Sequence, residues 1–177
     1  MPNYNSDKTL DELFFDALKA GDAYFVTSGR MHMHPPAGQA RYANVCLQNP
    51  VGSGKDLILL KLLGMADANQ TVVWSEVIVN PSVATMPTTV QPVINMNWKY
   101  LTTPCVGIVK ADVADHAMVG VDTGTEFAFG QSLTSYDEYA VRVLTPGAHI
   151  GLTARIDSPF INCYNIYAVL LQVPAQG

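Results

Sequence analysis

Residues 149–157 read HIGLTARID, and this stretch decides the fold class. Apolar side chains recur at every second position, at Ile150, Leu152, Ala154 and Ile156. A strand presents alternate side chains to opposite faces, so this pattern predicts a β-strand with one buried face and one face toward water. The rest of the chain must then supply the sheets that bury the apolar face.

Eight further segments have the features of short strands. They are rich in Val, Ile, Tyr and Thr, and clusters of Gly, Pro and Asn separate them. These segments lie near Tyr24–Ser28, Arg41–Gln48, Leu57–Met65, Thr71–Val79, Thr102–Val113, Thr125–Leu133, Glu138–Leu144 and Cys163–Val173. Short strands at this spacing are typical of antiparallel sandwiches. The sequence therefore predicts an all-β protein, a jelly-roll-like antiparallel β-sandwich preceded by a short amphipathic helix.

The predicted helix lies near the amino terminus. Thr9 and Glu12 have the spacing of a capping box, and Gly21 suits the left-handed residue that ends a helix. Phe15 lies on the flank of the apolar face and leaves a second face that another element can cover. The apolar face itself consists of Leu10, Leu13, Phe14, Ala17 and Leu18.

Two predicted strands are apolar on both faces, at Leu57–Leu60 and Tyr164–Val173. A second dry face needs cover by a helix, a long loop or another subunit. We divide the chain into an amino-terminal arm with the helix, residues 1–22, and a β-sandwich domain, residues 23–177. The helix docks either on its own domain or on a neighbouring chain.

The stretch Asn80–Trp98 contains three prolines, which block the hydrogen bonds of a sheet, and predicts an extended crossing loop. Loops of this length usually carry function or make contacts. We expect both this loop and the arm to contact other subunits. The predicted contact residues are Val83, Met86, Val90, Val93 and Met96 in the loop, and Leu10, Leu13, Phe14, Phe15 and Leu18 in the arm.

The composition favours a protein that contacts other subunits. Only 14% of the 177 residues are charged, against about 25% in an average globular protein, and the centres of stable interfaces are depleted of charge. The net charge of −5 argues against a nucleic-acid binder. The apolar runs are well short of the ~20 residues of a membrane helix. Residues 1–7 have neither a basic nor an apolar stretch, so we expect no signal peptide.

Residues 49–56 read NPVGSGKD and resemble a phosphate-binding P-loop only superficially. That motif has Gly where Asn49 stands and Ser or Thr where Asp56 stands, and a helix follows it. Here an apolar strand follows, so we predict a glycine-rich hairpin connection. Its turn residues are Asn49, Pro50, Gly52, Gly54 and Lys55.

His32 and His34 have the alternate spacing of metal ligands on a strand, which resembles a cupin superficially. Pro35 follows directly, and no carboxylate occurs between His34 and Asp56. Two histidines alone hold a structural metal poorly. We therefore predict a solvated loop with no metal and no cofactor. A small cupin-like, metal-dependent enzyme stays open as the second alternative.

The sequence gives nucleophilic catalysis little support. Ser53 lies between glycines, but no helix follows to form a nucleophile elbow. His116 lies in a polar turn. Cys46, Cys105 and Cys163 lie far apart in apolar stretches, as small buried side chains do in a reducing compartment. We predict a protein that is not an enzyme.

Four strand aromatics leave a carbohydrate-binding hypothesis open, although most such residues belong to a core. A receptor- or sugar-binding module would expose them in one concave patch. They are Phe127, Phe129, Tyr136 and Tyr139.

Three motifs follow one another along the chain. Residues 20–24, AGDAY, lead from the helix into the first strand. Residues 44–55, NVCLQNPVGSGK, form a strand that ends in the glycine-rich turn, and residues 144–147, LTPG, precede the two closing strands. This series is similar to small β-sandwich virion proteins of tailed bacteriophages, which include head decoration, or cement, proteins and some fibre or tail proteins. The resemblance implies a jelly-roll-like subunit, often trimeric, that stabilises or decorates a capsid.

The low charge and the ordered motifs together lead to one hypothesis. The chain is a structural virion subunit that stabilises a phage capsid through large contacts and assembles in the host cytoplasm. Its partners are copies of itself, as a homo-oligomer and most simply a trimer, and the major capsid protein or another virion protein. The first alternative is a tail- or fibre-associated module that binds a receptor or carbohydrate. We expect no nucleic-acid or membrane partner.

Overall fold

Thirteen strands, one α-helix and one 3₁₀ turn form the part of the chain that the computed structural model describes, which comprises residues 9–67, 72–79, 86–129, 134–136, 142–156 and 162–175. The helix, α1, is Leu10–Ala20, and the 3₁₀ turn is Trp98–Tyr100. The strands are β1 Ala23–Thr27, β2 Met31–Met33, β3 Arg41–Gln48, β4 Lys55–Asp67, β5 Val72–Val79, β6 Val90–Gln91, β7 Val93–Asn95, β8 Ile108–Ala114, β9 Gly120–Phe129, β10 Thr134–Tyr136, β11 Arg142–Leu144, β12 His149–Ile156 and β13 Asn162–Pro174.

The strands form two antiparallel sheets. Sheet I has the order β10-β4-β13-β1-β7, with β11 also paired to β4 and β2 also paired to β13. Sheet II has the order β6-β8-β3-β12-β5-β9. One short helix precedes them. The predicted fold class, an all-β sandwich with an amino-terminal amphipathic helix, is confirmed.

The strand order is that of a jelly roll. In sheet I, β1, β13, β4 and the β10/β11 edge are successive neighbours, and in sheet II the neighbours are β3, β12, β5 and β9. The chain alternates between the sheets, except that β5 and β9 pair within sheet II. The connection between β5 and β9 is a long excursion that adds β7 to the edge of sheet I and β8 and β6 to the edge of sheet II.

The core lies between the facing sides of the two sheets. From β12 it receives Leu152, Ala154 and Ile156, all less than 9% exposed, as the alternation predicts. From β13 it receives Tyr164, Ile166, Ala168 and Leu170. Each of these strands is central in its sheet, and the central strands carry the strongest apolar pattern in the sequence.

Helix α1 covers the outer face of sheet I. Thr9 and Glu12 form the predicted capping box, and Gly21 ends the helix with φ of +80°. The side chains of Leu13, Phe14, Ala17 and Leu18 pack on Ala23, Ile58 and Leu171 of the sheet. The helix therefore docks on its own domain, and it supplies the cover that the two-faced apolar strands β4 and β13 require.

The connection from Asn49 to Lys55 is not a hairpin, because β3 belongs to sheet II and β4 belongs to sheet I. It is a corner between the sheets. Gly52 and Gly54 have φ of +75° and +66°, which suits glycine. Asn49 is fully buried, and its side-chain Nδ2 donates to the carbonyl oxygens of Lys55 at 2.8 Å and Leu144 at 2.7 Å.

Several predicted strands differ from the structure at their ends. Thr102–Val113 becomes a strand only at Ile108, and the strand predicted at Thr125–Leu133 begins earlier, at Gly120. The predicted strand Glu138–Leu144 is seen as Arg142–Leu144, since residues 137–141 lie outside the described part. The predicted crossing loop does pass from one sheet to the other, but it contains the two short strands β6 and β7.

Candidate functional site

Four large apolar side chains are exposed within a single twelve-residue segment. Trp98 is 85% exposed, Val90 65%, Leu101 50% and Ile94 48%. All four belong to the excursion between β5 and β9, and we call them the 90–101 surface. Val90 pairs with Lys110 on the outer face of sheet II, whereas Ile94 follows the inward-packed Val93 and lies on the outer face of sheet I. Single exposed apolar side chains are common on any protein, so the contact site is indicated mainly by Trp98 and Leu101, which belong to one turn.

Two asparagines hold this segment against the end of α1. Nδ2 of Asn95 donates to the carbonyl oxygen of Gly21 at 2.6 Å, and Nδ2 of Asn97 donates to that of Leu18 at 2.7 Å. Oδ1 of Asn97 in turn accepts from the backbone N–H of Lys99 at 3.0 Å. Carbonyl groups at the end of a helix lack partners within it, so these contacts satisfy the helix and fix the segment together.

The inward-facing side chains of the segment are also packed. Val93 contacts the main core, and Met96 joins the cluster between α1 and sheet I. The ring of Tyr100 lies so close to Gly21 that a Cβ there would be 2.6 Å from it. Trp98 is therefore exposed on an anchored turn rather than on a free loop, which lowers the entropy cost of using it as a contact.

The electrostatics of the segment favour a protein contact. Lys99 is the one charged residue between positions 90 and 101. Its Nζ lies 5.3 Å from the ring centre of Tyr100, which is cation–π distance. Interface centres have few charges and are enriched in Trp, Tyr and Met. The exposed part of the segment has this character, with Trp98 and one charged residue, Lys99.

The predicted arm residues divide into two groups. Leu13, Phe14 and Leu18 pack on sheet I, so they stabilise the chain's own fold. Leu10 and Phe15 are 50% and 55% exposed. The ring of Phe15 contacts only the edge of Phe14 among the ring pairs of the described residues, at a centroid distance of 5.7 Å.

The predicted loop residues also divide. Val83 lies outside the described residues. Met86 packs on Cys46, Val77 and Met118 at the outer face of sheet II. Val93 and Met96 pack inward as described above, and only Val90 is exposed. The structure adds Ile94, Trp98 and Leu101, and their signal in the sequence is a run of apolar residues with a single charge.

Groups with possible chemistry lie elsewhere in the fold. His32 lies in β2, not in a solvated loop, while His34 follows that strand and is exposed. His116 is exposed. Across the ranges that the structure describes, no three His, Cys, Asp or Glu side chains are placed to hold a metal. The side chains of Phe127, Phe129, Tyr136 and Tyr139 lie outside the described part.

One buried ion pair spans the sandwich. Glu76 of sheet II is 3% exposed, and its two carboxylate oxygens accept from Nε and Nη2 of Arg142 in sheet I, each at 3.1 Å. Glu76 also lines an apolar cavity of about 50 Å³. A cavity of this size holds a few waters and no organic substrate. The pair and the cavity therefore belong to the core and not to a ligand site.

The chain matches no protein-family model, no curated protein and no solved structure. Among the described residues, no helix has the length and apolar character needed to cross a membrane.

Proposed function

We propose that this chain is a non-enzymatic structural subunit of a virion, of the type that decorates and stabilises the capsid of a tailed bacteriophage. The 90–101 surface is its principal contact with another subunit. The single observation that carries the proposal is Trp98, whose indole is 85% exposed on a turn anchored by Asn95 and Asn97. Tryptophan is among the residues that contribute most binding energy at interfaces.

Two further features support the proposal. The chain carries little charge, which suits a surface that is largely covered by neighbours. Its jelly-roll strand order agrees with the family that the sequence motifs resemble, and the 49–55 and 144–147 motifs meet at one corner through Asn49. Fold alone does not assign function, so the exposed surface remains the main argument.

The partners in this proposal are other copies of the chain, most simply as a trimer, and the major capsid protein or another virion protein. Closed symmetry would let each copy cover part of its neighbour's apolar surface. The chain would then act in the virion and assemble in the host cytoplasm. Sedimentation velocity on the purified chain tests the trimer, which predicts three times the chain mass of 19.2 kDa.

Add-back of the purified protein to capsids tests the contact. Particles from a phage whose copy of the gene is deleted are mixed with the protein, and the bound fraction is measured by cosedimentation. Truncating an interface Trp costs about 2 kcal/mol or more, so we expect Trp98→Ala to weaken binding roughly 30-fold. Val51, 88% exposed at the corner between the sheets, supplies the matched control, and Val51→Ala should bind as the wild type does. Equal binding by Trp98→Ala and Val51→Ala, or no binding by the wild type, would refute the proposal.

A further inference from the structure

A thiol and an imidazole lie side by side on the outer face of sheet I. Cys163 and His32 are directly paired residues of β13 and β2. Met31, Met33 and Tyr164 are buried in the core, so the alternation of the strands turns His32 and Cys163 to the opposite face. The Sγ atom of Cys163 lies 3.1 Å from Nδ1 of His32. With the imidazole proton on Nε2, the thiol donates to Nδ1.

The other two thiols have different surroundings. Cys46 is completely buried, and burial raises its pKa from 9 to about 11. Burial likewise raises the pKa of Cys105 to about 11, and its sulfur accepts from the backbone N–H of Gly107 at 3.3 Å. Since the thiolate is the nucleophile, we expect Cys46 and Cys105 to react slowly at neutral pH. Of the three thiols, Cys163 is the one seen in contact with an imidazole among the described residues.

We propose that Cys163 and His32 form a nucleophilic pair that exchanges with small disulfides, so that Cys163 is the protein's site of covalent thiol modification. The proton of the Cys163 thiol passes to Nδ1 of His32. The thiolate then attacks one sulfur of a disulfide RSSR, so that a new S–S bond to Cys163 forms and the S–S bond of the reagent breaks. The leaving thiolate takes the proton from His32 and departs as RSH.

The burial of Cys163 restricts the reagent. Cys163 is 7% exposed, whereas His32 is exposed. A sulfur with so little exposure favours small disulfides over protein disulfides as the reagent. Ile94 of the 90–101 surface lies level with Val169 of β13, across β1, and Val169 is six residues, or about 20 Å of extended strand, from Cys163. Modification at Cys163 is thus separate from the 90–101 surface, and the two proposals stand or fall independently.

The reaction is tested on the intact native chain with 2,2′-dithiodipyridine, a small disulfide whose released thiopyridone absorbs light. Peptide mass spectrometry then locates the modified residue. In the wild-type protein at pH 7, we expect Cys163 to react at least tenfold faster than Cys46 and Cys105. This comparison of three thiols in one folded molecule requires no variant. A faster reaction at Cys46 or Cys105, or equal rates at all three, would overturn the proposal.

Two variants test the role of the imidazole. His32→Asn should slow the reaction of Cys163 at least tenfold. His34→Asn removes an exposed histidine two residues away and should leave the rate within twofold of wild type. Circular dichroism establishes that both variants are folded. If His32→Asn and His34→Asn react at the same rate, the imidazole has no part in the reaction and the pair is merely a packing contact.

Discussion

Asn49 shows how one buried side chain joins parts of the chain that are distant in sequence. Its amide Nδ2 donates to the carbonyl oxygens of Lys55 and Leu144, and its Oδ1 accepts from the hydroxyl of Ser53 at 2.8 Å. Its backbone carbonyl also accepts from the N–H of Gly147 at 2.8 Å. The corner between the sheets and the turn before β12 are therefore held together by a single residue.

Replacing Asn49 by Ala should destabilise the protein by about 3 kcal/mol, because buried carbonyl groups lose their donor. Ser53→Ala removes the hydroxyl that donates to Asn49 Oδ1 and also contacts the backbone of Lys55. It is the matched control at a partly exposed site, with an expected cost of about 1 kcal/mol. Urea unfolding, followed by circular dichroism, measures both. A cost for Asn49→Ala no larger than that for Ser53→Ala would show that the corner is held by other contacts.

The sequence predicts part of this arrangement. The alternation of Pro50 with Gly52 and Gly54 indicates a turn, because proline and glycine set its backbone angles. It does not indicate that the turn joins two sheets, since the partner of Asn49 at Leu144 is 95 residues away. Contacts at such a separation leave no periodic signal in one sequence. For the same reason, the sequence does not indicate that Cys163 and His32, which are 131 residues apart, are neighbours.

Helix α1 is the element whose role the structure settles. Its capping box at Thr9 and its end at Gly21 agree with the prediction, because capping and periodicity are local signals. Its docking site is the outer face of β4 and β13, which the sequence alone does not locate. Docking on the chain's own domain and docking on a neighbouring chain therefore both stayed open. The structure places Leu18 and Phe14 against Ile58 and Leu171. The helix is consequently part of the sandwich's stability.

Substitutions on the two faces of α1 should separate stability from contact. Leu18→Ala opens a partly filled site against sheet I and should lower the free energy of unfolding by about 2 kcal/mol. Phe15→Ser removes an exposed side chain and should change it by less than about 0.5 kcal/mol. Thermal or urea unfolding of the two variants provides the comparison. Equal costs would contradict the observed packing of the helix.

The shortest strands are the elements that the sequence does not predict. β2, β6, β7 and β10 were not predicted, because each has only two or three residues and so cannot show an alternation. Each of these short strands pairs with a longer strand. Their existence follows from the tertiary fold, in which a neighbour offers free backbone groups, and not from their own residues.

Considered as a whole, the molecule is a jelly roll with one excursion. The eight jelly-roll positions bury the core, and α1 covers the outer face of sheet I. The excursion between β5 and β9 carries the 90–101 surface, whose exposed side chains neither fill the core nor cover a sheet. The sequence predicted a contact-making loop here from its length and prolines. The sequence does not distinguish the inward Val93 and Met96 from the outward Ile94 and Trp98. Strand β7 has only three residues and a turn follows it, so the segment shows no periodic pattern.

The most direct measurement is hydroxyl-radical footprinting of Trp98 in the free chain and in capsids that carry it. Our account predicts that the indole, 85% exposed in the free chain, becomes protected from oxidation by at least fivefold after assembly. The exposed His34 serves as the internal reference and should be oxidised at the same rate in both states. Equal oxidation of Trp98 in the free and the assembled chain would contradict the claim that the 90–101 surface contacts another subunit.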